Sequence, residues 1–186
     1  MTGIVNSTGA RSGVVGTTVG TPSGGGKVLQ VIQTVVTASS TTSSSSTSSF
    51  VDVPGLTVNI TPASSNKVLV SVSLAASRST GTMHCLLMRD STAIGIGDAD
   101  YGNQLRSTFI SRYNYWEGFQ YGMDNHSFQF LDSPSADGST AVTYKLQWTL
   151  GSSYSGSLYL NRSGERSNYD YSPLGASSIT VMEIDV

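Results

Sequence analysis

Apolar and polar side chains alternate along much of the chain from Lys27 onward, and this alternation has the period of β-strands. For example, Val68, Val70, Val72 and Leu74 fall on one face and are predicted to point into a core. No helical period and no tandem repeat is found. The predicted strands are residues 27–37, 50–53, 56–60, 68–74, 82–90, 128–131, 143–150, 157–160 and 179–184.

Turn and loop residues separate these strands. Residues 38–49 are almost all Ser or Thr and predict a long solvated loop, and Pro54-Gly55 predicts a turn between two short strands. Short strands at this spacing predict an all-β fold for residues 27–186, an antiparallel β-sandwich or jelly roll. Further turns are predicted at Ser65-Asn66, Asp137-Gly138, Gly151-Ser152 and Ser163-Gly164.

Residues 1–26 differ in composition from this head. They contain eight glycines and no aromatic residue, so on their own they cannot bury enough surface to offset the entropy lost on ordering. A disordered tail or linker is one interpretation. The other, which we favour, is an extended N-terminal arm that docks on another chain. The arm's apolar residues, expected to make assembly contacts, are Ile4, Val5, Val14, Val15 and Val19.

The composition supports a strand-rich protein with a neutral surface. Only 12% of the residues are charged, while 33 Ser and 20 Thr make up 53 of the 186 residues. Helices are usually coated with Ala, Glu, Lys and Arg, so this composition argues against a helical fold. With 10 basic and 12 acidic residues, no general affinity for nucleic acid or for an anionic membrane is expected. No apolar run reaches about 18 residues, so no membrane insertion is expected, and the start of the chain lacks the pattern of a secretory signal.

Patterns for phosphate or metal binding fail at single positions. A phosphate-binding loop needs Ser or Thr after its lysine, but Val28 follows Lys27. A calcium loop beginning at Asp98 needs Glu at its twelfth position, which is Phe109. A polar turn between strands is the better interpretation of this acidic stretch. We predict neither a cofactor nor a metal.

Catalytic residues are also not indicated. His84 and Cys85 are neighbours in a predicted strand, so their side chains point to opposite faces and cannot form a thiol–imidazole pair. Cys85 has no second cysteine for an internal disulfide, and Leu86 and Leu87 beside it indicate a buried position. We therefore predict a protein that is not an enzyme. A glycan-degrading enzyme is the alternative, and two carboxylates facing each other across a groove would favour it.

Aromatic residues concentrate in one part of the chain. Eight of the 16 aromatic residues lie within residues 109–130, where Arg, Asn, Gln and Asp separate them. Such rings stack on sugars or pack against protein partners, while the polar groups give directional hydrogen bonds. We predict that residues 101–127 form an outward-facing recognition surface; packing in the core or between subunits is the alternative. The expected binding residues are Arg112, Tyr113, Tyr115, Trp116, Phe119 and Tyr121.

Several motifs together resemble a module common in structural proteins of marine and cyanobacterial phages. The module begins with KVLQVIQTVVT at residues 27–37, followed by the Ser/Thr run and by FVDVPGLTVNITPASSNKVLVSVS at residues 50–73. It continues with RDST at 89–92, LDSP at 131–134, TYK at 143–145 and ITVMEI at 179–184. The resemblance covers about residues 26–186. The aromatic stretch 101–127 is longer than the family's connection, so the resemblance assigns it no role.

This resemblance implies a virion protein of the fibre or decoration type, commonly a homotrimer with a β-sandwich head. Taken with the arm, it predicts a head that projects as a short fibre or receptor-binding tip and contacts a host surface glycan or protein. Residues 1–26 would then dock on other virion proteins. A capsid decoration or head-fibre (cement) protein that stabilises the shell is the alternative.

Overall fold

Eleven strands make up most of the structure, a computed structural model that describes residues 27–44, 49–63, 65–98, 102, 104–112, 121–151, 154–168 and 170–185. All strand pairs are antiparallel, and no α-helix occurs among these residues. The strands are β1 (Val28–Val36), β2 (Ser40–Ser44), β3 (Val51–Ile60), β4 (Lys67–Arg78), β5 (Thr82–Arg89), β6 (Thr92–Ile94), β7 (Phe109–Arg112), β8 (Asp124–Asp132), β9 (Val142–Leu150), β10 (Gly156–Leu160) and β11 (Ser177–Ile184).

The strands form two sheets. In the first, hydrogen-bonded neighbours follow the order β1-β11-β4-β10-β2, where β11 and β10 both lie along one edge of β4. β8 pairs with the opposite edge of β4. The second has the order β3-β9-β5-β6, and β7 also pairs with β5.

Three pairs of strands each occupy a single position in a sheet, because a loop interrupts what would otherwise be one strand. The eleven strands therefore fill eight positions. β10 and β11 both pair with the same edge of β4, at its residues 76–78 and 67–73, and are separated by residues 161–176. β6 and β7 pair in the same way with β5 and are separated by residues 95–108. β1 and β2 run in one direction along β11 and β10. With each pair counted once, the sheets contain strands 1-8-3-6 and 2-7-4-5, which is the order of a jelly roll. The predicted all-β sandwich class is therefore confirmed.

The core lies between the two sheets and follows the predicted alternation. Val68, Val70, Val72 and Leu74 are at most 2% exposed, and each such side chain contributes about 1.5–3 kcal/mol relative to an exposed position. From the second sheet, the largest fully buried side chain is Trp148. No helix in the described part of the chain has the length and apolar character needed to cross a membrane.

One predicted loop is wrong in part, because residues 40–44 form strand β2. Thr42 pairs with Leu158 of β10, and the Ser44 hydroxyl accepts a hydrogen bond of 3.0 Å from the Leu150 amide. β2 lies at the edge of its sheet among the described strands, and hydroxyl side chains suit such a strand as well as they suit a loop.

The predicted turn at Pro54-Gly55 is also wrong, because both residues lie inside strand β3. The register of β3 against β9 shifts between Asp52 and Thr57, so the pair forms an irregularity in one continuous strand. Proline is tolerated there because β3 is the edge strand of the second sheet. Gly55 has a φ of +76°, and a Cβ at this position would lie 3.1 Å from the side chain of Val36.

The strand directions give the head two distinct ends. At the arm end, β1 begins at Val28, which pairs with Ile184, and Ile184 pairs with Lys67 at the start of β4. At the Arg112 end, β4 finishes at Arg78, β7 finishes at Arg112, and residues 79–81 connect β4 to β5. The 12 residues of β4 separate the two ends by about 35 Å.

Candidate functional site

The chain passes from one sheet to the other at the Arg112 end. Arg112 ends β7, which belongs to the second sheet, while Tyr121 precedes β8, which belongs to the first. The structure thus places two of the six predicted binding residues. The other four, Tyr113, Tyr115, Trp116 and Phe119, lie outside the described residues.

An open depression of about 410 Å³ lies on the Arg112 side of this end. Strand pairing assembles it, because Arg112 lies opposite Thr82 and Ile110 lies opposite His84. Ile110 is 58% exposed although it is aliphatic, so the depression offers an apolar contact. The lining residues are Thr80, Gly81, Thr82, His84, Ile110, Arg112 and Tyr154.

A glycine holds the aromatic ring in this depression. Gly81 has a φ of +64°, and a Cβ there would lie only 2.6 Å from Cγ and Cδ2 of Tyr154. Only glycine therefore permits both the left-handed turn and the close approach of the ring. The Tyr154 amide donates to the Gly151 carbonyl (2.9 Å), and the Gly151 amide donates to the Thr82 carbonyl (2.9 Å). These two hydrogen bonds connect the Tyr154 backbone to β5. Tyr154 remains 45% exposed, so its ring is accessible to a ligand.

His84 contributes a second ring to the depression, and a hydrogen bond with Ser107 holds this ring in place. Its Nδ1 lies 2.8 Å from the Ser107 hydroxyl, and a Cβ at Gly151 would lie 3.5 Å from its Nε2. Burial lowers the pKa of His84 below its usual value, so the imidazole is neutral at pH 7. Among the described residues, the lining therefore contains one positive charge, that of Arg112, and no acidic side chain.

Arg112 makes no ion pair with any residue of the described ranges, and its side chain is exposed. Arg106, another described arginine, instead donates through Nε to the Gly97 carbonyl (2.7 Å), and its Nη2 lies 3.7 Å from Asp98. Arg112 is thus available to a negatively charged group in a way that Arg106 is not.

Tyr121 lies apart from the depression. Its ring packs edge-on against Tyr171, with centroids 4.9 Å apart and planes at 85°. The contact joins the start of β8 to the loop between β10 and β11, and Tyr121 is half-buried. In the described structure its ring packs against Tyr171, and the binding role expected of Tyr121 stays a prediction.

A buried polar cluster fixes the two strand ends that flank residues 113–120. The Arg78 side chain is fully buried, and its Nη1 donates to Asp124 Oδ2 at 3.0 Å. The Ser111 hydroxyl donates to the same oxygen at 3.0 Å. One carboxylate therefore connects β4, β7 and β8. Burial lowers the pKa of His126, whose Nε2 lies 4.0 Å from Asp124 Oδ2.

The described residues offer no arrangement for metal binding, since no group of three or more His, Cys, Asp or Glu side chains lies together among them. Cys85 is fully buried, as expected, and burial raises the pKa of its thiol, which keeps it protonated. The expectations that the chain is not an enzyme and uses no cofactor remain predictions.

Most of the depression was not predicted from the sequence. His84 was considered only as a catalytic candidate, and Thr80, Thr82, Ile110 and Tyr154 were not assigned to a site. The cross-strand register and the left-handed turn at Gly81 bring these residues together. The predicted assembly residues Ile4, Val5, Val14, Val15 and Val19 lie outside the described residues.

Neither a protein-family model nor a curated protein matches the chain. Solved structures that resemble it include infectious bursal disease virus Gx strain at 12% identity and the infectious bursal disease virus VP2 subviral particle at 11%, each with a TM-score of 0.40. The alignments cover 84% and 85% of this chain but 38% and 40% of those chains, so this chain spans about two fifths of their length. A TM-score of 0.40 is too low to assign a shared fold, and the jelly-roll assignment depends on the strand order alone.

Proposed function

We propose that the chain is a non-enzymatic structural protein of a phage virion. In this proposal residues 1–26 dock on other virion proteins, and the jelly-roll head projects as a short fibre or receptor-binding tip. The observation that carries the proposal is the separation of the two ends of the head. The arm joins the head at Lys27, while Arg112 and the depression lie about 35 Å away at the opposite end.

Hydrogen bonds between distant parts of the chain stabilise the arm end, where such an attachment would be made. The Asp185 amide donates to the Lys27 carbonyl at 2.9 Å, so the last described residue holds the first. Glu183 accepts hydrogen bonds from Asn66 Nδ2 (2.6 Å), Gln30 Nε2 (2.6 Å) and the Ala63 amide (2.8 Å). A head held at this end would present the Arg112 end outward.

Strand β1 supports self-association, for which a trimer is the expected state. β1 lies at the edge of the first sheet and pairs only with β11 among the described residues. It is nine residues long and contains neither charge nor proline, and Val28, Leu29, Val31 and Val35 are each more than 50% exposed. Edge strands pair with other chains unless charges, proline or bulges prevent it. The one register shift of β1 against β11 lies at its start, between Val28 and Gln30, so residues 31–36 form a regular edge. A second copy of the chain is the partner that this proposal names.

The alternative role, a decoration or cement protein, is favoured by the outer face of the first sheet. The strand register aligns an apolar row across four strands, Val31, Met182, Leu69 and Leu131. Beside it runs a polar row, Gln33, Thr180, Ser71 and Gln129. None of these eight side chains is charged, so the face could lie flat on a neutral shell surface.

Deletion of residues 1–24 tests the proposal. The truncated protein should keep the thermal transition of the full chain, because the core and the hydrogen bonds of the arm end lie within residues 27–185. Its incorporation into particles should be lost. Normal incorporation of the truncated protein would overturn the docking role of the arm.

Antibody labelling of intact particles by electron microscopy then separates the two roles. Label at the tail supports the fibre or receptor-binding tip, whereas label spread over the shell supports the decoration protein. Absence of label from purified particles would overturn both.

A further inference from the structure

The depression at the Arg112 end has the lining of a small site for an anionic sugar. We propose that it binds a carboxylate-bearing sugar, such as a uronic acid of a surface glycan, with Arg112 holding the carboxylate. The biological part of this inference rests on the proposed function, because a head that points outward would present the depression to a host surface. The binding itself depends only on the isolated head.

The charge of the lining selects for an anion. The planar guanidinium of arginine donates two parallel hydrogen bonds to a carboxylate, and these charge-assisted bonds are stronger than neutral ones. Arg112 makes no ion pair with the residues that the structure describes, and none of the seven lining residues is acidic. A neutral ligand would leave this cation uncompensated.

The remaining lining groups suit the body of a sugar ring. The exposed face of Tyr154 can stack on the C–H face of a pyranose, and Ile110 adds an apolar contact. The hydroxyls of Thr80 and Thr82 can each donate and accept hydrogen bonds with sugar hydroxyls. The volume of about 410 Å³ lies within the range of roughly 300–1,000 Å³ found for small-ligand sites.

The backbone already holds the ring in place. The absence of a side chain at Gly81 lets the Tyr154 ring lie against residues 79–81. The hydrogen bonds of Gly151 to Tyr154 and Thr82 hold the Tyr154 backbone in place. A ring fixed in this way loses little conformational entropy when a ligand binds. Gly81→Ala should displace the ring and weaken sugar binding without removing any group that contacts the ligand.

The test uses the purified full-length protein and two sugars that differ in one group. Methyl β-glucuronide and methyl β-glucoside are titrated separately, and binding is followed by NMR chemical-shift changes. We expect the glucuronide to bind at least tenfold more tightly than the glucoside, and Arg112→Ala to weaken glucuronide binding at least tenfold. Arg112→Lys should fall between the two, since it keeps the charge but not the paired donors.

Two variants control for charge and folding. Arg106→Ala removes an exposed arginine that does not line the depression, and it should leave glucuronide binding unchanged. Tyr154→Phe keeps the ring and should bind normally, whereas Tyr154→Ala should weaken binding while the amide spectrum of the core stays the same.

Three results would overturn the proposal. These are equal binding of the two sugars, glucuronide binding that survives Arg112→Ala, and binding of acetate or inorganic phosphate as tight as that of the glucuronide. The last result would mark a simple anion site. Failure here would leave particle incorporation untouched, so it is distinguishable from failure of the proposed virion role.

Discussion

At the scale of single residues, buried polar side chains hold the backbone where strands are interrupted. Asn161 is fully buried, has a φ of +57°, and lies at the break between β10 and β11. Its Nδ2 donates to the carbonyls of Val36 (2.7 Å) and Ala38 (3.0 Å), and its Oδ1 accepts from the Ser177 hydroxyl (2.6 Å). One amide therefore connects both interrupted strand pairs of the first sheet. No sequence pattern distinguishes this asparagine from one in an exposed turn.

Glu183 should make the stability of the head depend on pH in the acid range. Burial opposes ionisation, but the hydrogen bonds from Asn66, Gln30 and the Ala63 amide outweigh it and hold the pKa of Glu183 below its usual 4.5. A carboxyl whose pKa is lower in the folded state than in the unfolded state stabilises the fold at pH values above its unfolded pKa. This stabilisation is lost as the pH falls through its folded pKa. Glu183→Gln should therefore reduce the free energy of unfolding at neutral pH and flatten its decline below about pH 4.5.

Urea unfolding between about pH 3 and pH 7 measures this dependence. Glu165→Gln, on an exposed part of the loop between β10 and β11, is the matched control and should follow the profile of the unmodified chain. If Glu183→Gln and the unmodified chain lose stability in parallel as the pH falls, the proposed linkage is wrong.

At the scale of elements, hydrophobic alternation predicted those strands that have one buried face. β4, β5, β9 and β11 were predicted to within four residues at each end, because core packing imposes a period of two on their sequences. β2 was missed because Ser and Thr fill both of its faces. The short strands β6 and β7 were missed because each has only three or four residues.

The candidate site was only partly predictable for a related reason. The density of aromatic residues pointed to the region that begins at Arg112. The register between β5 and β7 decides which of their residues face each other. Because 14 residues separate β6 from β7, this register cannot be predicted from the sequence. His84 and Ile110 therefore become neighbours only in the structure.

The exposed edge of β1 leads to a prediction about assembly. We expect the purified protein to have a mass of about three times 19.5 kDa in light scattering. Val31→Lys combined with Val35→Lys places two charges on exposed positions of this edge, and charged edge strands resist pairing with other chains. The double variant should shift towards the monomer mass while keeping its circular dichroism spectrum.

Leu131→Lys combined with Gln129→Lys is the control for this experiment. Leu131 is 50% exposed on β8, at the opposite edge of the same sheet, so the control adds equal charge to a comparable surface. Dissociation by the control alone would assign self-association to β8 instead of β1. An unmodified protein that is a monomer at micromolar concentration would exclude both.

At the scale of the whole molecule, the two ends of the jelly roll differ in chemistry. Lys27, Asp185 and a hydrogen-bonded carboxylate lie together at the arm end, while the Arg112 end combines a cation, the exposed ring of Tyr154 and a turn that depends on Gly81. At the Arg112 end, the buried Arg78 side chain of β4 pairs with Asp124 of β8, whose side chain is 38% exposed. Changes at one end should therefore affect its own function while the fold of the other end is kept.

The aromatic segment that follows Arg112 gives the last prediction. Tyr115 and Trp116 belong to the connection between Arg112 and Tyr121, whose flanking strands the Asp124 carboxylate holds together. If this segment recognises the host, Tyr115→Ala combined with Trp116→Ala should abolish binding to host cells, because large rigid rings supply most of the contact energy of such surfaces. The oligomer mass and the thermal transition should stay unchanged. If the rings instead pack between subunits, the same variant should dissociate or unfold the head.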